Sequence, residues 1–276
     1  MIYMKEAFIC PNLIGGLGNQ MFITATAYSY HLDNNIPIIL KDVDKIPSYG
    51  KHRPTYWNTM FHKLQKEKNI GNLPFLNESE LKKKIVEPKY LNGYCQNVDY
   101  FHHNYDKICE LFTLPDILEN KVNNLYDDII KKFNSNTVSV HIRGIDDSTP
   151  GQGNYYREIM PIEFFKNAMQ KCDSDSTFII LTNNVDYCKS ELNGYNNIYF
   201  AEETDYIELK LMSKCKNHIM PISTFSWWGA YLNRNNNKKI YVPNPENLIV
   251  NEYNQKAFHY NFHRTLFQRF NNIVIV

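Results

Sequence analysis

The sequence predicts an α/β protein built from two doubly wound domains. Three observations lead there. A strand, Gly-rich turn, helix and strand unit opens the chain, short apolar strands alternate with helices through residues 137–242, and 276 residues accommodate two medium domains.

Taken in order, residues 4–13 read as a short apolar strand, followed by the turn at Gly15, Gly16 and Gly18. From Asn19 to Leu32 the apolar residues Met21, Phe22, Ala25, Tyr28 and Leu32 recur at helical spacing, and Ile36 to Leu40 reads as a second strand. Such a unit favours a parallel sheet with crossover helices. Residues 45–100 are less regular. Pro47, Pro54, Pro74 and Pro88 punctuate them, Lys82-Lys83-Lys84 reads as a solvated helix face, and no motif is placed there.

The second half is cleaner. Strands are predicted over Thr137–Arg143, Thr177–Thr182, Ile198–Phe200, Asn217–Met220 and Lys239–Val242. Helices are predicted over Pro161–Cys172, Val185–Leu192, Thr204–Lys214 and Ser223–Asn233. The expected domains are 1–135 and 136–250, with a tail at 251–276 that either stays local or packs back on the first domain. Ligands of such sheets sit outside the carboxyl ends of the strands, so the segments after Arg143, Thr182, Phe200 and Met220 should line a cleft.

Composition narrows the partners. With 30 basic and 29 acidic side chains the net charge is +1, too little to hold a polyanion by counterion release, so nucleic acid is not an expected partner. No apolar run is long enough to span a membrane and no signal peptide is read at the start, which places the expected protein in the cytoplasm. Six widely spaced cysteines without a Cys-x-x-Cys pair read as reduced thiols. The abundance of Tyr and Phe reads either as stacking faces or as a compositional drift shared with Asn, Lys and Ile.

Several residues carry candidate chemistry. His141 and Arg143 end a predicted strand and lead into Asp146 and Asp147; Arg143 offers a planar fork to phosphate oxygens, or an ordinary ion pair to either aspartate. Ser223, Thr224 and Phe225 follow a strand and open a helix, with Ser or Thr available as the cap. The helix start provides an anion site, unless it is only a capped core helix carrying Trp227 and Trp228. The GGLGNQMF turn at 15–22 lacks the third glycine of a dinucleotide fingerprint and the lysine of a phosphate loop. Asp42-Val43-Asp44 and Asp173-Ser174-Asp175 resemble the paired carboxylates of metal-dependent sugar transferases, and His259 and His263 could share a helix face, but neither arrangement is complete and no metal is expected.

Together three segments resemble the glycosyltransferase family 11 α-1,2-fucosyltransferases. The turn GGLGNQMF matches at Gly15 to Phe22; the His-x-Arg-Arg-Gly-Asp stretch is matched by His141, Arg143 and Asp146; Leu211, Met212, Ser213 and Cys215 precede Ser223 to Ala230 as in the third hallmark. The resemblance implies a GT-B-like α/β fold, two Rossmann-like doubly wound domains facing across a cleft, and an inverting, metal-independent transfer of fucose from GDP-fucose to a glycan acceptor, expected at O2 of a terminal galactose. The only cosubstrate implied is the GDP-sugar donor; no cofactor is implied, and peripheral membrane contact would come through a lipid-linked acceptor.

By the same carry-over, Arg143 grips the diphosphate, His141 lies against the nucleoside, and Ser223, Thr224 and Phe225 contact the phosphates. Asn19 reaches the donor, with Gly16, Gly18 and Gln20 lining the turn, and Asn183 and Asp205 complete the donor side. A carboxylate is the expected general base; Asp146 and Asp147, the acids nearest Arg143 in sequence, are the candidates, or either pairs with Arg143 instead, with Asp146 taken first. Gly144 and Ile145 stand where the family has Arg and Gly, and Leu181-Thr182-Asn183-Asn184 replaces a Phe-Ser-Asp-Asp tendency. Two alternatives remain: a relative that binds GDP-sugar or glycan without turnover, and a metal-dependent transferase using an Asp-x-Asp.

Overall fold

The computed structural model describes residues 6–48, 51–143, 160–244 and 265–276. The chain divides into two compact units, Met1–Glu119 and Asn120–Val276.

The first unit opens with strand β1 (Ile9–Pro11), all three residues buried, and helix α1 (Leu17–Asn34), which closes on Asn35 in the left-handed conformation with φ +53°. After β2 (Leu40–Lys41) come the antiparallel pair β3 (Ile46–Ser48) and β4 (Lys51–Arg53), then β5 (Lys66–Glu67), β6 (Phe75–Asn77) and β7 (Lys89–Asn92). β1 pairs in parallel with β7, and β7 with β6; on its other side Ile9 bridges Ile38 just ahead of β2, which pairs with β5. The predicted opening unit is therefore present, with Ile9 and Ile38 as the adjacent parallel positions. Helix α2 (Tyr105–Leu111) ends the irregular stretch.

Helix α3 (Asp116–Lys132) leads into the second unit. There β8 (Thr137–Ile142), α4 (Ile162–Gln170), β9 (Thr177–Thr182), α5 (Val185–Glu191), β10 (Ile198–Ala201), α6 (Asp205–Lys214), β11 (Asn217–Ile219), α7 (Thr224–Tyr231) and β12 (Ile240–Val242) follow in strict alternation. The last strand, β13 (Ile273–Ile275), pairs in parallel with β12. The end of the tail thus belongs to the second sheet, where the sequence had left open a return to the first domain.

All six strands run parallel in the order β10-β9-β8-β11-β12-β13. Counted from β8, this is the 3-2-1-4-5-6 order of a Rossmann sheet, which reverses direction between β8 and β11. Both faces are covered, so β8 and β9 are buried almost throughout. The two-residue period of the strands splits the core: Phe178 and Ile180 pack with Val138, Val140, Phe164 and Phe165, while Ile179 and Leu181 pack with Ile129, Leu211 and Met212. Within this sheet His218, wholly buried, bridges the Oγ of Ser139 at 2.7 Å and the Nδ2 of Asn233 at 2.8 Å. Burial, aided by Lys238, pushes its pKa down to about 3, so it stays a neutral structural link. All six cysteines are free thiols.

Candidate donor site at the sheet reversal

Parallel strands put every carboxyl end on one edge, and the reversal between β8 and β11 opens a crevice there. His141 near the end of β8 and Arg143 just past it lie on one side of this crevice; Ser223, Thr224 and Phe225 follow β11 on the other. The His141 and Phe225 rings meet across it with centroids 5.2 Å apart. Burial, reinforced by the Arg143 charge, pushes the His141 pKa down to about 3, so its imidazole is neutral.

Local sequence explains how α7 reaches this position. Trp227 and Trp228 are fully buried; Trp227 donates from Nε1 to the Leu266 carbonyl at 3.1 Å and stacks on Tyr231. Gly229 lets α6 press close: a Cβ there would lie 2.7 Å from the Met212 Cβ. The tryptophans therefore anchor the helix in the core and leave its first turn to face the strand ends.

Ser223 occupies the N-cap position with φ −147°, yet its side chain makes no capping bond. Its Oγ is buried and has no hydrogen-bond partner among the described residues, and the same holds for the Nδ1 of His141. Buried polar atoms are nearly always paired, and these two unpaired ones lie where the strand order reverses, beside a helix start.

The remaining candidates spread along the same edge or lie in the first unit. Asn183 follows β9 and is exposed; Asp205 opens α6 after β10, its Oδ1 accepting from the Tyr206 amide at 2.8 Å. They stand progressively farther from the reversal, since β9 and β10 lie outward from β8. Near Asp205, burial pushes the Glu208 carboxyl up to about 7, with Asp205 and Glu203 adding to the effect against a bond from the Glu203 amide.

In the first unit Gly15 has φ +75°, and Gly16 is the N-cap of α1 with open space where a side chain would project. Gly18 is buried in the first turn. Asn19, partly exposed in that turn, accepts at Oδ1 from the Nε2 of Gln96 at 3.0 Å. Gln20 turns inward, its Oε1 buried without a hydrogen-bond partner among the described residues. Its side chain is wholly buried, with Nε2 donating to the carbonyls of Gly15 at 3.0 Å and Pro54 at 3.3 Å, so it clamps the turn from behind.

Asp146, Asp147, Gly144, Ile145, His259 and His263 lie outside the described residues. Of the paired acids, Asp173 and Asp175 precede β9, on the amino edge of the sheet, where they accept from Asn136 Nδ2 at 3.4 and 2.6 Å. Among the described residues no three His, Cys, Asp or Glu converge as a metal cluster, and no helix is long and apolar enough to cross a membrane.

The second unit is thus a Rossmann-type sheet with an imidazole, an arginine and a helix start at its reversal, the place where doubly wound sheets hold their ligands. The chain matches glycosyl transferase family 11 over residues 11–264 and belongs to that family; it is a glycosyltransferase. It is 29% identical over 84% of its length to the O-antigen biosynthesis glycosyltransferase WbnK of Escherichia coli, covering 92% of that protein. It is 27% identical over 82% of its length to an Escherichia coli α-1,2-colitosyltransferase, covering 88% of it. To galactoside α-(1,2)-fucosyltransferase 1 of Aotus azarae it is 24% identical over 83% of its length, spanning 57% of that longer protein. In fold it resembles the fucosyltransferase NodZ from Bradyrhizobium, with a TM-score of 0.58 at 12% identity over 82% of this chain and 93% of NodZ.

Proposed function

We propose that the chain is an inverting α-1,2-fucosyltransferase of GT-B type that moves fucose from GDP-fucose to O2 of a terminal galactose on a glycan acceptor. The observation that carries this reading is the pair of buried, unpartnered polar atoms, His141 Nδ1 and Ser223 Oγ, at the reversal of a Rossmann sheet in a family 11 chain. The names of the relatives supply the α-1,2 linkage and the galactoside.

In this reaction the acceptor hydroxyl attacks C1 of fucose while the C1–O bond to the diphosphate breaks, and the electron pair leaves with GDP. The transition state has oxocarbenium character, so rate comes from neutralising the departing diphosphate and holding the acceptor in line. Arg143 and the first amides of α7 take the first task, with Thr224 and Ser223 adding hydroxyl contacts. His141 and Phe225 border the nucleoside, and Asn183 and Asp205 extend the donor side. Asn19, beside the turn of Gly16 and Gly18, is the proposed contact to the donor's phosphate or sugar. Asp146 is the proposed base that takes the acceptor proton. No divalent ion is required, because arginine and helix start supply the positive charge. The enzyme works in the cytoplasm, touching membranes only through a lipid-linked acceptor.

The test is GDP release from GDP-fucose with a panel of β-galactosides in excess EDTA, with GDP-colitose run beside it. Acceptor-dependent release of GDP from GDP-fucose, unaffected by EDTA, supports the proposal. Release only from another donor, or loss with EDTA, contradicts it.

A further inference from the structure

The first unit holds a polar pair whose geometry reaches beyond the donor contacts above. Asn19 and Gln96 are 77 residues apart, yet the Nε2 of Gln96 donates to the Oδ1 of Asn19 at 3.0 Å. A carboxamide has one accepting and one donating end, so fixing the oxygen fixes the NH2 group as well. That NH2 group lies against the glycine turn: a Cβ built on Gly15 would stand 2.6 Å from Asn19 Nδ2.

The loop that delivers Gln96 is itself held. It leaves the carboxyl end of β7, next to β1 in the sheet, and bends at Gly93 with φ +131° and at Cys95 with φ +52°. A wholly buried non-glycine residue in the left-handed region stores strain, which persists only where neighbours enforce it. Glu78 does so here. Its Oε2 accepts from the Cys95 amide at 2.7 Å, and its carboxyl group packs so close to Gly93 that a Cβ there would sit 2.9 Å from Glu78 Cδ. Beyond Gln96, the Asn97 Oδ1 accepts from the Asp99 amide at 3.0 Å and pins the following turn. Strained backbone, carboxylate brace and cap all converge on the residue that holds Asn19.

We propose that Gln96 is a positioning residue for transfer: it orients the Asn19 carboxamide, oxygen toward Gln96 and NH2 toward the glycine turn, as that group meets the GDP-sugar. The inference rests on Asn19 being a donor contact.

The experiment compares Gln96→Ala, Gln96→Glu, Asn19→Ala and the Gln96→Ala, Asn19→Ala double variant by steady-state kinetics, with the Asn19 side-chain amide followed by NMR in asparagine-labelled protein. Gln96→Glu keeps the size but has no N–H to donate to Oδ1. Both Gln96 variants are expected to lower kcat about 10-fold or more, the scale of a misplaced group, with donor KM little changed and melting temperature held. The Asn19 amide signal should become mobile in Gln96→Ala, and the double variant should be no slower than Asn19→Ala alone. An unchanged Asn19 signal in Gln96→Ala overturns the positioning role, as does wild-type kcat in that variant while Asn19→Ala is impaired. Full activity in Asn19→Ala overturns instead the reading that Asn19 touches the donor, and the NMR signal still decides whether Gln96 holds it.

Discussion

The rings of His141 and Phe225 lie 5.2 Å apart, tilted by 46°, one at the carboxyl end of β8 and the other in the first turn of α7. They join β8 to the helix that follows β11, the strand at which the order turns back. Because burial and Arg143 keep His141 neutral, this contact brings no positive charge of its own, and the proposed mechanism gives the cationic work to Arg143. Phe225→Leu retains apolar bulk but removes the aromatic face. It should raise the dissociation constant for GDP several-fold, about 1 kcal/mol, as measured by calorimetry. An unchanged constant would place the nucleoside elsewhere.

Ser223→Ala separates a ligand contact from a structural one. The buried Oγ of Ser223 makes no hydrogen bond among the described residues, so its removal deprives the fold of none seen there. The melting temperature should stay level or rise, while GDP affinity falls about 10-fold, the loss of one charge-assisted hydrogen bond. A large drop in melting temperature would show that the hydroxyl serves the fold.

The two glycines at the start of α1 should respond oppositely. Gly15→Ala meets both a left-handed φ of +75° and a 2.6 Å clash with Asn19 Nδ2, and should cost roughly 1–3 kcal/mol in urea unfolding together with most activity. Gly16→Ala adds a methyl in open space at φ −75° and should change stability by less than about 1 kcal/mol. Any loss of kcat in Gly16→Ala would then come from a substrate approaching the turn.

Glu208 gives a pH signature. Its folded pKa is raised from 4.5 to about 7, so its contribution is full below pH 4.5 and is lost as pH rises toward 7. Glu208→Gln should therefore be more stable than wild type at pH 8, by about 1–2 kcal/mol after allowance for its partial exposure, and the two should converge below pH 4.5. Chemical denaturation at both pH values checks the sign.

Much of the second unit was legible because buried parallel strands read as unbroken apolar runs. Thr177–Thr182 is found at its predicted bounds and the other four predicted strands differ by one residue at one end, whereas β13 was not predicted. Helix α3 was not predicted, although Leu118, Val122, Leu125, Tyr126 and Ile129 recur along it at helical spacing and Leu125 and Tyr126 pack beside Ile129. β7 was missed because Leu91 alone is buried among Lys89, Tyr90 and Asn92, which leaves no alternation to read.

At the site, motif and geometry parted in instructive ways. Ser223 stands at the N-cap yet does not cap, so composition alone misassigns its hydroxyl. Gln20 faces inward to Gly15 and Pro54, a pairing that depends on a residue 34 positions away. Gln96 carried no local signal at all. Its partner is 77 residues distant, and only the folded chain brings them together.

The most direct test of the donor site is a calorimetric titration of GDP into the wild-type protein and Arg143→Ala, in EDTA. We expect wild type to bind GDP, and Arg143→Ala to bind at least about 10-fold more weakly, because the variant loses a charged hydrogen-bonding fork to the diphosphate. Equal affinity in the two proteins would contradict the account, since the diphosphate would then lie away from the reversal between β8 and β11.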